Sequence, residues 1–243
     1  MKTMAFANRN FKELIRDPIT LLFGMGLPVI LIFLMSIIQQ NVKVTPFAIG
    51  RFAPGMAVFS LSFISLFAGM LIAKDRSTSF LMRIFASPMT AWDFIAGYSL
   101  PLLGMALIQS AVCFIASFFF GLEINLRVLS ALAALLGVAL LYVGLGILSG
   151  VLLSDKQVGG ISSLLINIAT LMSGTWFDLQ LVGEGFRKVC YALPFAHAVD
   201  AAKYALSGQG EALPHLLWVL GYAAVVLALA AVLFRRRMRS GKA

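Results

Sequence analysis

The most constraining feature of the sequence is a series of long intervals that contain no charged residue. Six of them are bounded by charged residues at positions 17 and 43, 51 and 74, 93 and 123, 127 and 155, 156 and 178, and 211 and 235. Each interval can supply the roughly 20 apolar residues that a helix needs to cross a bilayer. Only 12% of the residues are charged, about half the fraction in a soluble domain. The sequence therefore predicts six transmembrane helices in a single domain, residues 1–243, and excludes a soluble enzyme.

Basic residues are distributed unequally between the two sides that six crossings create. The side with both termini holds 13 Lys and Arg residues, and the opposite side holds 6. Because positive charge accumulates in cytoplasmic loops, both termini are predicted to be cytoplasmic, in a multi-pass protein of the cell (inner) membrane. Residues 1–17 alternate apolar Phe6, Phe11 and Leu14 with basic side chains. This pattern predicts a helix lying in the head-group layer, although it also fits a simple basic flank.

Two connecting segments are too apolar for ordinary loops. Residues 189–199, within the external segment 176–213, are too short to cross the membrane and contain Pro194, which predicts a re-entrant hairpin. The longest cytoplasmic loop, residues 74–93, contains an apolar run that ends at a proline. A short apolar helix there could lie on the membrane surface or fit a groove on a partner protein.

The loop sequence from Lys74 to Gly97 resembles a loop of ATP-binding-cassette transporter permeases of the ABC type-2 class. An acidic-Arg pair, a short apolar helix, a Ser-Pro and a glycine follow one another in the order that this class shows. Three other segments agree with the class: Arg16-Asp17-Pro18, Ser173-Gly174, and residues 193–203, which include Pro194, His197, Asp200 and Lys203. The resemblance covers nearly the whole chain.

The resemblance implies an all-α membrane fold with six transmembrane helices, an N-terminal interfacial helix, a cytoplasmic coupling helix and a re-entrant external hairpin between spans 5 and 6. It implies a homodimer or heterodimer with a similar permease and two ATPase subunits that hold ATP and Mg. The loop would couple to those subunits through Asp75, Arg76, Phe80, Met82, Phe85 and Pro88. The chain has no GxxxxGK[ST] phosphate loop, so it is predicted to bind no nucleotide or other cofactor itself.

The predicted spans contain two stripes of side chains that could line a pathway, one of Met and Phe and one of small polar residues. None of their apolar cores contains Asp, Glu, Lys or Arg, which argues against an ion-coupled carrier. The class places its pathway between the second and fifth spans of two subunits, which makes candidates of six residues: Met56, Phe59, Phe63, Ser163, Asn167 and Thr170. Such stripes also pack helices together, as does the pair Gly146-x-x-x-Gly150.

Together these features predict a membrane subunit of an ATP-driven exporter, such as a multidrug efflux system, with an apolar or amphiphilic cargo: a drug, a lipid or a lipid-linked molecule. A glycan exporter of the same class and a motor-free membrane enzyme or assembly scaffold are the alternatives. His197 and His215 stand singly in the sequence, without metal-ligand spacing. No metal site, catalytic group or nucleic-acid partner is predicted; the lipid bilayer is the expected surrounding.

Overall fold

The structure is a computed structural model that describes residues 2–42, 47–78 and 91–240. Within these ranges the chain forms helices and no strand, which confirms the all-helical prediction. A π-helical turn, Leu22–Gly26, lies between the second and third helices. The helices are α1 (Lys2–Arg16), α2 (Pro18–Leu21), α3 (Leu27–Asn41), α4 (Ile49–Ser77), α5 (Ala91–Phe118), α6 (Arg127–Leu152), α7 (Asp155–Met172), α8 (Glu184–Ala192), α9 (Pro194–Ser207) and α10 (Ala212–Ser240).

Five helical segments of the described chain are long and apolar enough to cross a membrane. They are Pro18–Asn41, Ile49–Ser77, Trp92–Phe118, Arg127–Leu152 and Ala212–Arg236, and they correspond to predicted spans 1 to 4 and 6. The fifth predicted span is α7, which has 18 residues and begins with charged Asp155 and Lys156. At 1.5 Å per residue α7 is about 27 Å long. A sixth crossing therefore remains a prediction.

Helix α7 runs antiparallel to α4 along much of its length. Near the start of α7, Val158 lies beside Gly69, where an added Cβ would be 2.9 Å from the valine side chain. Just after its end, Thr175 lies beside Gly55, where an added Cβ would be 2.6 Å away. The two helices therefore extend between the same two ends of the bundle.

Helix α4 forms the centre of the bundle. Of its most apolar stretch, 83% is buried, against 22% for the first apolar segment and 17% for the last. Helix α6 packs closely on it because a Cβ at Gly146 would come within 2.5 Å of Ala68 Cβ, and one at Gly150 would come within 2.9 Å of the Gly69 carbonyl. The predicted helix contact at these two glycines is confirmed, since only a residue without a side chain permits this approach.

The two ends of the described chain meet at one end of the bundle. Phe6 of α1 makes an edge-to-face contact with Tyr98 of α5, with ring centroids 4.9 Å apart. Phe94 of α5 stacks on Phe234 of α10 at 3.5 Å. Residues 1–17 were predicted to form an interfacial helix, and α1 is indeed helical there. Part of its apolar side is covered by protein, because Phe6 and Leu14 are buried, whereas Ile15 is 44% exposed. Its location in the head-group layer stays a prediction.

The external segment is a pair of helices rather than one short apolar element. Helix α8 ends at Ala192, and Leu193 is extended, with ψ 159°, before Pro194 begins α9. Helix α9 packs against α4, α6 and α10 and buries several alanines: Ala196, Ala198, Ala201 and Ala202. The predicted segment 189–199 therefore combines the end of α8 with the first turns of α9. Its depth in the membrane stays a prediction.

Candidate functional site

A buried carboxylate joins three helices at the end of the bundle where the two chain termini meet. Asp75, in the last turns of α4, is 2% exposed. Its two oxygens accept hydrogen bonds from Arg9 of α1, at 2.6 and 2.8 Å. Tyr98 of α5 donates a third, at 2.6 Å. Because the Arg–Asp pair is bidentate and charge-assisted, it fixes the orientation of α1 on α4. We call Arg9, Glu13, Asp75 and Tyr98 the inner network.

Glu13 extends the inner network toward solvent. Its carboxylate lies 2.7 Å from the Arg9 guanidinium and 3.0 Å from Lys74 Nζ. Partial burial lowers the pKa of Arg9, but the hydrogen bond and charge of Asp75 and the charge of Glu13 outweigh that effect. The pKa of Arg9 is therefore raised, and the guanidinium stays charged at any physiological pH.

Arg76 ties α4 to the end of α6. Its Nη1 lies 2.7 Å from the Gly150 carbonyl oxygen and 2.9 Å from those of Val151 and Leu153. A cation among the last carbonyls of a helix is favourable because those groups carry the negative end of the helix dipole. Asp75 and Arg76, predicted as coupling residues, thus anchor the point at which the chain leaves α4. The other predicted coupling residues, Phe80, Met82, Phe85 and Pro88, lie outside the described residues.

A large cavity opens beside the inner network. It has a volume of about 1030 Å³ and lies between α1, the last turns of α4 and the start of α7. Charged side chains from α1 and α4 line one part of it, and Phe67, Met70 and Leu71 of α4 line another. We call this space the inner cavity. Its size is that of a ligand-binding cleft, and its lining is amphiphilic.

The outward face of α7 carries the predicted polar stripe. Ser163 and Asn167 are exposed and Thr170 is half-buried. Each side chain donates to the carbonyl four residues earlier in its own helix, at 2.8, 2.8 and 2.7 Å. The opposite face packs on α4 through the buried residues Val158, Ser162, Ile166 and Ala169. The stripe therefore makes no hydrogen bond to another helix of the described chain.

The aromatic stripe of α4 separates into enclosed and accessible residues. Met56 is 0% exposed and Phe63 is 7% exposed, so both belong to the core of the single chain. Phe59 is half-buried and contacts Phe63 edge-to-face at 5.2 Å. Of these three predicted pathway residues, Phe59 alone presents part of its side chain at the surface of the chain.

At the opposite end, two histidines that stand apart in the sequence form a pair. His197 Nδ1 of α9 lies 2.7 Å from His215 Nδ1 of α10, and His197 Nε2 lies 3.0 Å from the Tyr191 carbonyl. A carbonyl only accepts, so Nε2 carries the proton of a neutral His197, and His215 donates to its Nδ1. Burial, the largest effect, lowers the pKa of His197, and the charge of His215 lowers it further.

Carboxylate side chains make further contacts at this end of the bundle. Tyr191 OH donates to Asp200 at 2.7 Å, and Arg51 lies 3.3 Å from Asp178. Within residues 2–42, 47–78 and 91–240, no three His, Cys, Asp or Glu side chains come together as metal ligands would. Pro194 begins α9 and His197 and Asp200 hold it to its neighbours, whereas Lys203 extends over the Tyr204 ring at 5.5 Å. Contacts at this end therefore join α8, α9 and α10 to one another, and α4 to the segment that follows α7.

Comparison with known families decides what kind of protein has this architecture. The family model of the ABC-2 type transporter matches residues 1–206. The chain belongs to the ABC-2 type transporter family. This ABC-2 chain is the membrane component of an ABC transporter, a transport subunit that works with ATPases on separate subunits. The resemblance read from the sequence is confirmed. A search of curated proteins finds no match to it.

Two polar residues in the apolar spans of the ABC-2 chain escaped the sequence analysis. Gln109 of α5 is fully buried, and its Nε2 has no hydrogen-bond partner among the described residues. Its Oε1 is 3.5 Å from Ser60, which donates to the carbonyl of Gly24 in the π-helical turn. Gln109, like Asn167, is an amide inside an apolar span, where it needs a hydrogen-bond partner, so the sequence alone could have identified it as a candidate. Tyr98 gives no comparable signal, because only the fold brings it to Asp75.

Proposed function

We propose that this chain is the membrane subunit of an ATP-driven exporter and that two such subunits meet along the outward face of α7. The carrying observation is that Ser163, Asn167 and Thr170 are hydrogen-bonded within their own helix, while Ser163 and Asn167 are not covered by any other described part of the chain. Such a face can border a pathway in the absence of cargo, because its donors are already satisfied. The second subunit is a further copy of the chain or a similar permease.

Six crossings with cytoplasmic termini belong to the same proposal. The meeting of Phe6, Phe94 and Phe234 at one end of the bundle supports an even number of crossings. The antiparallel course of α7 along α4 supports a traverse by this helix, and the excess of Lys and Arg on the side of the termini supports a cytoplasmic location. The proposed location is the cell membrane or, in a cell with two membranes, the inner membrane.

The cargo is an apolar or amphiphilic molecule that moves outward. On the surface of the single chain, Met70 of α4 is 44% exposed and Phe59 is half-buried. Methionine and aromatic side chains form an adaptable apolar wall, and in this proposal the hydroxyls and amide of α7 add weak polar contacts along the same pathway. A drug, a lipid or a lipid-linked molecule fits this combination better than a glycan without a lipid does.

Co-purification of the ATPase tests the proposed role of the cytoplasmic loop, residues 74–93, in binding it. Phe85→Asp introduces a charge into the apolar run, which we propose as the socket for the ATPase subunits. We expect the variant to insert normally but to lose the ATPase during purification in detergent. Phe119→Asp is the matched control, because Phe119 is 82% exposed at the opposite end of α5. Normal recovery of the ATPase with the Phe85 variant would refute the socket.

Cross-linking tests the pairing of two subunits. The native cysteines, Cys113 and Cys190, are both buried, so an added surface cysteine dominates the reaction with a bifunctional maleimide. Ser163→Cys is expected to yield a cross-linked dimer, because the proposal brings the two α7 faces together. Val225→Cys, at a position of α10 that is 60% exposed, is expected to yield none. Equal yields from the two variants would contradict the proposed interface.

A further inference from the structure

We propose that the inner cavity binds the anionic head group of an amphiphile from the cytoplasmic leaflet, with Lys12 and Arg16 of α1 as the binding cations. The binding itself is independent of transport. Only the identification of the bound molecule as cargo rests on the proposed function, which it would narrow to amphiphiles that carry a phosphate or a similar acidic group.

The charges in the lining divide into those already engaged and those available. Arg9 is held by Asp75 and Glu13, and Lys74 is held by Glu13. Asp17 caps α2, where it accepts hydrogen bonds from Ile19 N and Thr20 Oγ1.

Asp155, in the first turn of α7, is stabilised by the positive end of that helix. Lys12 and Arg16, in contrast, form no ion pair within 4 Å in the described part of the chain. Both side chains are exposed and line the inner cavity. Two cations are therefore available in a lining where Glu13 and Asp17 are already engaged.

The spacing of these two cations suits one acidic group. Residues four apart on a helix lie on the same face, about 5–6 Å apart between their Cβ atoms. Lys12 and Arg16 can therefore converge on a single phosphate, which a guanidinium binds through two parallel hydrogen bonds.

The depth of the inner cavity suits the rest of an amphiphile. Lys74 and Phe67 both line it, and they are seven residues apart on α4, which is about 10 Å along the helix axis. Met70 and Leu71 lie between these two levels. The lining thus changes from charged to apolar over roughly the length of a head group and the first carbons of an acyl chain. A free phosphate would leave the apolar part unfilled.

Fluorescence quenching by brominated lipids measures this binding directly. A fluorophore attached at Met70→Cys reports from the cavity wall, and the buried native cysteines leave it as the main labelled site. The full transporter complex is reconstituted without ATP in phosphatidylcholine vesicles with a minority of brominated phosphatidylglycerol or brominated phosphatidylcholine. We expect at least twofold stronger quenching by the anionic lipid, and a decline at high ionic strength because salt screens the attraction.

Paired variants separate a binding site from a general surface charge. Lys12→Gln with Arg16→Gln should reduce quenching by the anionic lipid to the level of the neutral one. Arg235→Gln with Arg236→Gln removes the same charge from the exposed end of α10 and should leave the preference intact. Equal quenching by the two lipids, or the same loss in both double variants, would overturn the proposal.

The same vesicles identify the source of the bound molecule. When ATP is added, transfer of the anionic lipid to the opposite leaflet identifies it as cargo, and retention identifies it as a resident lipid. Either result is compatible with the binding site, because the quenching measurement needs no ATP. A failed export function would therefore be distinguishable from a failed binding site.

Discussion

The inner network and the outward face of α7 use polar side chains in opposite ways. Asp75 bonds to residues of two other helices, and its side chain is almost fully enclosed. Asn167 bonds to the carbonyl of Ser163 in its own helix and remains exposed. A hydrogen bond between helices depends on their relative position, whereas one within a helix does not. The inner network should therefore determine stability, and the α7 face should affect transport with little effect on stability.

The largest expected effect comes from breaking the inner network at its centre. Asp75→Asn removes the charge that pairs with Arg9 and puts a donor where Tyr98 also donates. We expect a loss of about 3 kcal/mol in the free energy of unfolding, the low end for a broken buried ion pair, because Arg9 is partly exposed. Unfolding in detergent, followed by circular dichroism, measures it. Glu13→Gln is the matched control and should cost about 1 kcal/mol or less; equal losses would show that burial of Asp75 is unimportant.

The second-largest effect on stability is expected from replacing a glycine by alanine in the core, compared with the same replacement on α7. An added Cβ at Gly146 would lie 2.5 Å from Ala68 Cβ and 2.7 Å from the Ser65 carbonyl oxygen. Gly146→Ala should therefore force α4 and α6 apart and destabilise by about 1–3 kcal/mol. At Gly160 of α7 no atom of the described residues lies within 4 Å of the added atom, so Gly160→Ala should stabilise slightly. Unfolding midpoints of the two variants test this, and a loss at both positions would mean that a neighbouring element packs tightly against Gly160.

Much of the fold, but less of the candidate site, follows from the sequence. Charge-free intervals predict long helices because a bilayer core demands about 20 apolar residues, and the Gly146/Gly150 pair predicts a close contact. The charged start of α7 makes the fifth span the weakest by composition. The pairings of Arg9 with Asp75 and of His197 with His215 join positions 66 and 18 residues apart. Periodicity describes one helix at a time, so it contains no information about such pairs.

Acid pH is expected to have a smaller effect on stability, through the His197–His215 pair at the end of the bundle opposite the inner network. The folded state favours neutral His197, because burial lowers its pKa below the ordinary value of a histidine. The stability from this group is thus present above about pH 6.5 and is lost as pH falls through the lowered pKa. The pair has one proton between its Nδ1 atoms, and protonation of both rings breaks that hydrogen bond. Melting midpoints at pH 7.5 and 5.5 should fall more for the native chain than for His197→Gln. An equal fall in both would show that His197 is not the source of the acid sensitivity.

Substitution of Asn167 is expected to have the smallest effect on stability. It tests most directly whether the α7 face, unlike the inner network, acts in transport rather than in folding. Asn167→Leu removes one hydrogen bond to a carbonyl of the same helix and leaves the buried face of α7 unchanged. The free energy of unfolding should change by no more than about 0.5 kcal/mol, as for surface substitutions in general. Cargo-stimulated ATP hydrolysis by the assembled transporter should nevertheless change, because the amide faces the proposed pathway. Val225→Ala, at an exposed position of α10, is the control and should change neither quantity. If Asn167→Leu destabilises as strongly as Asp75→Asn, the α7 face is packed against protein; if it alters neither stability nor ATP hydrolysis, the face borders no pathway.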